Sequence, residues 1–459
     1  MKKRKKDQHE KRTKDKTQEI FQMINPNAAG IDVGSEEHWV AVPEDRDEQP
    51  VRKFGCFTSD LYALADWLKK CRIETVAMES TGVYWIPLFQ ILESQGFEVK
   101  LVNARHVRNV PGRKTDIVDC QWLQRLHTFG LLSGSFRPED SICVLRSYCR
   151  HRENLVQFAS SHIQHMQKAL IQMNLHLHKV ITDISGVTGM RIIKSILAGE
   201  RDPLTLAKMR DPRVKKSAET IAKALEGDYR PEHLFALKQA VEAYEIYQSQ
   251  IRACDREMEA YLSKMDSKID DDKNIPPSRR KNQKPKGNAP HFDLRSHLYR
   301  ITGVDFTQIN GLDASSVYSI LSEVGLDPNA FPTVKNFTSW MALCPNNRIT
   351  GGKVKSSKTR KVKNRAAEAF RLAAMSVGNS TSALGGYFRR MRSRHGAPQA
   401  ITATAHKLAR IFYHLWRTGD TYQDPGQDYY EKKYKERVLA SMKKKAKQLG
   451  YEISLVAAT

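Results

Sequence analysis

Four carboxylates stand where a fold could gather them. Asp32 lies in the apolar run AAGIDVG (28–34), Glu79 in AMESTG, and Asp116 and Asp119 three apart in KTDIVD. Each alone has an ordinary explanation. Asp near Gly is turn chemistry, Asp116 near a helix start favours the helix dipole, and surface acids are common. Brought together, four acids repel one another unless cations sit among them. Hard oxygen donors suit Mg²⁺, which takes octahedral oxygen sites completed by water and phosphate. Two such ions ~4 Å apart can stabilise both the attacking and the leaving oxygen of a phosphodiester displacement. The joint placement therefore predicts a metal pocket that works on a phosphodiester.

A second segment offers hydroxyls. Cys344 to Arg365 reads CPNNRITGGKVKSSKTRKVKNR, and six of the eleven residues 353–363 are basic: Lys353, Lys355, Lys358, Arg360, Lys361 and Lys363. Gly351 and Gly352 would let the backbone approach a phosphate closely. Thr350, Ser356, Ser357 and Thr359 carry hydroxyls, so the segment is either a backbone-gripping loop with a nucleophile or a flexible basic loop that only grips phosphates. The chemistry alone favours the second, since no His or Asp nearby is evident as a base. Arg105, Arg108, Arg113 and Lys114 crowd next to the third acid and read as a further grip on DNA or RNA backbone. The paired histidines His162/His165 and His176/His178 have no accompanying carboxylate or Cys and read as exposed helix positions.

These groups need a scaffold. Residues 28–135 read as α/β: strands at Ala28–Gly34, His38–Val42 and Val51–Phe57, a helix at Leu61–Cys71, a strand at Ile73–Met78, a helix at Tyr84–Gln95, a strand at Val99–Val102 and a helix at Thr115–His127. In a ribonuclease-H-like topology the first and fourth strands are neighbours and a late helix packs across their ends. Asp32, Glu79, Asp116 and Asp119 would then converge. From 140 to 268 the pattern is helical. One series runs Leu145, Tyr148, Leu155, Ala159, Ile163, Met166, Leu170, Met173, Leu177 and Val180, and a second runs Leu234, Leu237, Val241, Tyr244, Ile251, Met258 and Leu262. Each is one apolar seam of a long helix. The seams pack either on each other or across a dimer, and polar Arg152, Gln248 and Asp255 interrupt them. A basic, Pro-containing linker (269–292) leads to a mostly helical domain (293–420) and a basic helical tail (421–459). Residues 1–27 read as a basic disordered tail.

The whole chain narrows the partners. Its 459 residues carry 75 Lys and Arg against 51 Asp and Glu, a formal net charge of +24. A clustered excess of that size points to a polyanion, first of all nucleic acid. No stretch approaches the ~20 apolar residues of a membrane span, and no apolar segment follows the basic N-terminus as a secretory signal requires. The seven cysteines are scattered, with no C-x-x-C pair. That argues for a reducing cytoplasm, buried thiols and no zinc site.

The motifs AGIDVG, AMESTG and KTDIVD, followed far downstream by ITGVDF, LCPNNRITGGKV and NRAAEAFRLAA, resemble transposases of the insertion-sequence-one-ten family. These are the DEDD transposases, some of which are known as bridge-RNA-guided recombinases. The resemblance covers about 28–130 and 297–417, and Gly351-Gly352 after Thr350 is most similar to the subgroup named after insertion sequence eleven-eleven. It implies a RuvC-like catalytic domain with Asp32, Glu79, Asp116 and Asp119 as Mg²⁺ ligands, and a hydroxyl in the C-terminal domain that links covalently to DNA. It also implies a structured non-coding guide RNA pairing with donor and target DNA, homodimers or homotetramers, and a place in the bacterial cytoplasm or nucleoid. The family's serine is Thr350 here, a secondary, β-branched alcohol of restricted rotamer. A RuvC-like nuclease or junction resolvase without a covalent intermediate, and a non-catalytic nucleic-acid-binding protein, are the alternatives.

Overall fold

The computed structural model describes residues 23–80, 82–103, 116–269, 276–277 and 287–454. The chain divides into two compact units, Met1–Arg137 and Pro138–Thr459.

In the first unit, short runs of small and branched residues form a five-stranded sheet: β1 (Ala28–Val33), β2 (Glu37–Ala41), β3 (Val51–Gly55), β4 (Thr75–Glu79) and β5 (Glu98–Val102). Their order is β3-β2-β1-β4-β5. The first three strands are antiparallel neighbours, whereas β4 joins β1, and β5 joins β4, in parallel. Both parallel connections are made by helices, α1 (Thr58–Lys70) and α2 (Trp85–Ser94). On α1, Leu61, Leu64, Ala65 and Leu68 are buried at helical spacing, and the Asp60 carboxylate accepts from the Phe57 amide at 3.3 Å at its start. One sheet face, with Ala29, Ile31, Val76 and Met78, packs under α1 and α2. The opposite face, with Ala77 and Val102, packs against Leu123 of α3 (Asp116–Thr128). The sheet is thus covered on both sides, which is why its central strands read as nearly continuous apolar runs.

The residues just before the sheet, placed in the tail by sequence, are partly anchored. Ile24 and Asn25 amides donate to the Thr128 carbonyl at 2.9 and 3.0 Å. Residues 1–22 lie outside the described residues.

The second unit begins with two long helices, α4 (Asp140–Gln172) and α9 (Pro231–Lys264). The two seams pack on each other in antiparallel fashion: Tyr261 OH donates to the Ser141 carbonyl at 3.1 Å, and Cys254 Sγ lies 3.8 Å from the Tyr148 carbonyl. The first seam was expected to run on to Val180. The helix instead stops at Gln172, and Asn174 turns the chain at φ +59. Four short helices follow, α5 (Leu177–Val180), α6 (Val187–Leu197), α7 (Pro203–Lys208) and α8 (Ala218–Lys223). Their apolar residues close one core with the far ends of α4 and α9.

Polar Arg152 and Asp255 meet inside the seam. Arg152 Nε contacts Asp255 Oδ1 at 2.5 Å, and His291 donates its backbone amide to Asp255 Oδ2 at 3.1 Å. Arg152 also donates to the Asn288 carbonyl at 3.0 Å, so residues 288–291 of the expected linker are fastened to the helix pair. The rest of that segment falls largely outside the described residues.

The remaining helices are α10 (Leu294–Thr302), α11 (Ala314–Val324), α12 (Val334–Trp340), α13 (Arg365–Ser376), α14 (Ala383–His395), α15 (Ala397–Thr418) and α16 (Tyr429–Gln448). They surround an aromatic core in which Phe412 stacks on Phe306 at 4.0 Å and meets Phe370 edge-on at 5.6 Å. Arg150 forks onto the Glu323 carboxylate at 2.7 and 3.0 Å, and Tyr318 OH donates to the Leu145 carbonyl at 3.0 Å. These bonds tie α4 to α11. Among the described residues, no helix is long and apolar enough to cross a membrane.

Candidate metal centre and hydroxyl hairpin

Asp32 is the penultimate residue of β1 and Glu79 the last of β4. The parallel register pairs Gly30 with Ala77 and Ile31 with Met78, and one step further it sets Asp32 beside Glu79. Successive residues of a strand alternate faces. Ile31 and Met78 belong to the core under α1 and α2, so the two acids face the layer of α3. Both are half-buried.

Helix α3 has a reason to lie there. Cys120, Leu123, Gln124 and His127 recur on one face and are buried, the spacing of an amphipathic helix. Gln124 Nε2 reaches the Ala28 carbonyl at 3.4 Å. Two residues further along β1, a Cβ on Gly30 would lie 2.3 Å from the Gln124 amide nitrogen and 2.4 Å from the Cys120 carbonyl oxygen. Glycine is what lets helix and strand approach so closely. Helix α3 therefore runs antiparallel to β1, and its first turn points toward the strand ends that carry Asp32 and Glu79. The charges of Asp32 and Asp119 both bear on the Cys120 thiol, which burial first, and then these carboxylates, push up to about 12. A thiol held in that state is a packing group and not a nucleophile.

The structure thus sets Asp32 and Glu79 side by side on one face of the sheet and puts Asp119 in the first turn of the helix that packs on that face. Asp116 opens α3. Its side chain, and Arg105, Arg108, Arg113 and Lys114, lie outside the described residues. Among the described residues, no three His, Cys, Asp or Glu side chains form a group that could hold a metal ion. That includes the histidine pairs. His162 instead stacks on Tyr247 at 5.5 Å, across α4 and α9.

In the second unit, the segment expected to be a loop is a β-hairpin: β6 (Arg348–Thr350) and β7 (Lys353–Ser356). Thr350 pairs with Lys353. Gly351 and Gly352 form the two-residue turn at φ +56 and +74, the positive pair of a type I′ turn. Built Cβ atoms there meet nothing within 4 Å, so backbone conformation sets the need for glycine at the tip. Thr350 is exposed, as are Lys353, Lys355, Lys358, Arg360, Lys361 and Lys363. Arg360 donates to the Ser339 carbonyl. The pattern was available in sequence, because Ile349 and Val354 flank T-G-G-K with the register of a tight hairpin.

An α/β sheet with acids at the ends of neighbouring parallel strands, followed by a basic and mostly helical unit, is an arrangement suited to an enzyme that acts on nucleic-acid strands. Residues 29–175 match the transposase model of the DEDD, IS110 type, and residues 305–388 match the model described as Transposase IS116/IS110/IS902 family. The chain belongs to the IS110 family of transposases, and its transposase domains make it a DNA-recombining enzyme. No curated protein matches the chain.

Proposed function

We propose that this protein is a DNA transposase whose RuvC-like domain binds Mg²⁺ through Asp32, Glu79, Asp116 and Asp119, and whose Thr350 hydroxyl forms a covalent link to the cut strand. The observation that carries the reading is the approach of α3 to β1 at Gly30. It directs the helix bearing Asp116 and Asp119 to the strand ends bearing Asp32 and Glu79. A set of carboxylates suits a hard divalent cation, and DEDD transposases typically use one. Bound there, the ion would polarise the scissile phosphate and neutralise charge on the leaving oxygen.

The chain's own residues do the rest. The basic hairpin holds DNA backbone through Lys353, Lys355 and Lys358. The Thr350 hydroxyl gives up its proton as its oxygen bonds to phosphorus. The strand's own P–O bond breaks, and the leaving oxygen takes up a proton. One ester replaces another, so a partner strand can later displace threonine without an external energy source. Pairing of a structured non-coding RNA with donor and target DNA would supply the sequence choice, since a protein in such a system reads shape and backbone. Assembly as a homodimer or homotetramer and membership of the subgroup named after insertion sequence eleven-eleven belong to the same proposal.

The test is cleavage of element-end DNA with Mg²⁺ by the full chain and by Asp32→Ala and Glu79→Gln. Both variants are expected to lose at least about a hundredfold in rate while still binding DNA. Undiminished cleavage would reject the metal role. A protein–DNA adduct mapped by peptide mass is expected at Thr350. Cleavage without an adduct would leave the nuclease reading, and an adduct at Ser356 would move the nucleophile.

A further inference from the structure

The basic tail is used by neither the metal site nor the hairpin. The first turns of helix α16 pack on the rest of the unit, while residues 439–445 are exposed. The helix returns against α14 and α15, with Tyr430 meeting Tyr387 at 5.4 Å and Arg390 donating to the Tyr430 carbonyl at 2.9 Å. Between α15 and α16 this leaves a cavity of about 1060 Å³, just above the ~300–1,000 Å³ usual for small-ligand sites.

Its lining combines two chemistries. Lys407, Arg410 and Lys433 supply cations, and Tyr422, Tyr429 and Tyr430 supply rings. The Lys407 ammonium lies 4.3 Å from the Tyr430 ring centre and that of Lys433 4.5 Å from the Tyr429 ring centre. Among the described residues, no carboxylate lies within 4.0 Å of Lys407, Arg410 or Lys433. The one described acid of the lining, Asp420, is engaged with His414 at 3.5 Å. Burial first, then the like charges of Arg410, Arg437, Arg390 and Lys433, bring the Lys407 ammonium down to about 8. Among the described residues, positive charge is therefore concentrated with no carboxylate at ion-pair distance, an arrangement that an incoming anion relieves.

We propose that this cleft is a binding site for a single strand of nucleic acid, with backbone phosphates on Lys407, Arg410 and Lys433 and unpaired bases on the tyrosine rings. A free phosphate would use the cations alone and make no use of the tyrosines of the lining. A duplex would offer phosphates but keep its base faces stacked. An unpaired strand offers both, which is the usual recognition of single-stranded nucleic acid. The site lies apart from the hairpin in the chain and requires nothing of the metal centre. A single strand of DNA and one of RNA present the same chemistry, and the assay separates them.

The experiment is fluorescence anisotropy with the full chain, using labelled oligothymidylate and oligouridylate of about 16 nucleotides and a duplex of equal length. Arg410 and Lys433 are exposed, so Arg410→Glu with Lys433→Glu is expected to keep the parent's melting temperature. Single-strand affinity is expected to fall at least about tenfold, and its log–log salt slope by about 0.7 for each phosphate no longer gripped. The strand whose affinity falls further names the ligand as DNA or RNA. Tyr422→Leu is expected to weaken strand binding at least about fivefold with little effect on the duplex. The parent protein, cross-linked to a thio-substituted strand, is expected to yield adducts within residues 407–433. Asp32→Ala is expected to bind the strand normally, so failure of the metal reading and failure of this one are distinguishable. Unchanged strand affinity and salt slope in the charge-reversed protein, or equal weakening on strand and duplex in Tyr422→Leu, would overturn the proposal.

Discussion

Gly30→Ala is the sharpest perturbation of the catalytic unit, because a single methyl group tests whether strand and helix hold the acids together. The new Cβ would lie 2.3 Å from the Gln124 nitrogen, 2.4 Å from the Cys120 oxygen and 2.8 Å from the Gln124 Cα. All three are backbone atoms, so no side chain can rotate away. Carbon contacts become favourable near 3.5 Å, so α3 must retreat by roughly 1 Å. Overpacking of that kind costs about 1–3 kcal/mol, which lowers the melting temperature of a unit this size by roughly 3–12 °C. The same retreat carries Asp116 and Asp119 away from Asp32 and Glu79, and a displacement of about 1 Å can cost roughly a hundredfold in rate. The assays are calorimetric melting of the full chain and Mg²⁺-dependent cleavage measured well below the lowered melting point. Loss of cleavage in a still-folded variant is the expected result. A variant that melts lower but cleaves at the parent's rate would refute the claim that this approach positions the acids. A variant with unchanged melting would refute the close approach itself.

Two further expectations concern parts of the fold away from Gly30. His127 is buried, bonded through Nε2 to Thr75 Oγ1 at 2.8 Å with Nδ1 unpartnered, and burial first, then Lys100, lowers it to about 4. Its folded value lies below the ordinary 6.5, so the unfolded chain takes the proton more readily. This contribution is full above about pH 6.5 and is lost as pH falls toward about 4, with a limit on the order of 3 kcal/mol. Thermal melting across that window should show the loss, and His127→Gln should flatten it; an unchanged pH slope in the variant would count against the assignment. At the hairpin tip, Gly351→Asn should keep recombination near the parent level, since Asn tolerates positive φ. Gly351→Val should lower it about tenfold without moving the main melting transition. Equal activity of the two would show that turn geometry does not matter there.

The sheet was legible because its signal is local. Runs such as AAGIDV and TVAME are short, apolar and bounded by turn residues, and each observed strand falls within about two residues of its expected place. The neighbourhood of Asp32 and Glu79 follows once β1 and β4 are adjacent and parallel. What sequence could not supply is the partner of each face. Arg152 and Asp255 break two apolar seams, and either a dimer or a folded-back pair could satisfy them. Only the long-range pairing shows each to be the other's counter-charge. Gly30 is similar: in a strand it reads as a weakness, and its value appears only when Cys120 and Gln124 lie across it. Of the short helices between 177 and 223, α5, α7 and α8 are too brief to establish a period, whereas α6 does carry one in Gly189, Ile192, Ile193 and Ile196. Their buried faces complete a core begun by α4 and α9.

These long-range pairings have a common consequence for how the protein works. A buried ion pair adds little net stability, since desolvation offsets most of the attraction, but removing one partner strands the other charge at a cost of about 3–5 kcal/mol. Arg152 and Asp255 therefore fix a register more than they stabilise a fold. Asp255 also holds His291, while Arg152 holds Asn288, at the point where the chain enters the helices around the hairpin. Arg150 and Arg146 lock α4 to the end of α11 through Glu323 and the Ser322 carbonyl. A slip of one helical turn between α4 and α9 would break the Arg152–Asp255 pair and pull apart the two helices' grips on Asn288 and His291. The long helix pair is thus a rigid mount for the helices that carry the Thr350 hairpin, and not a flexible tether.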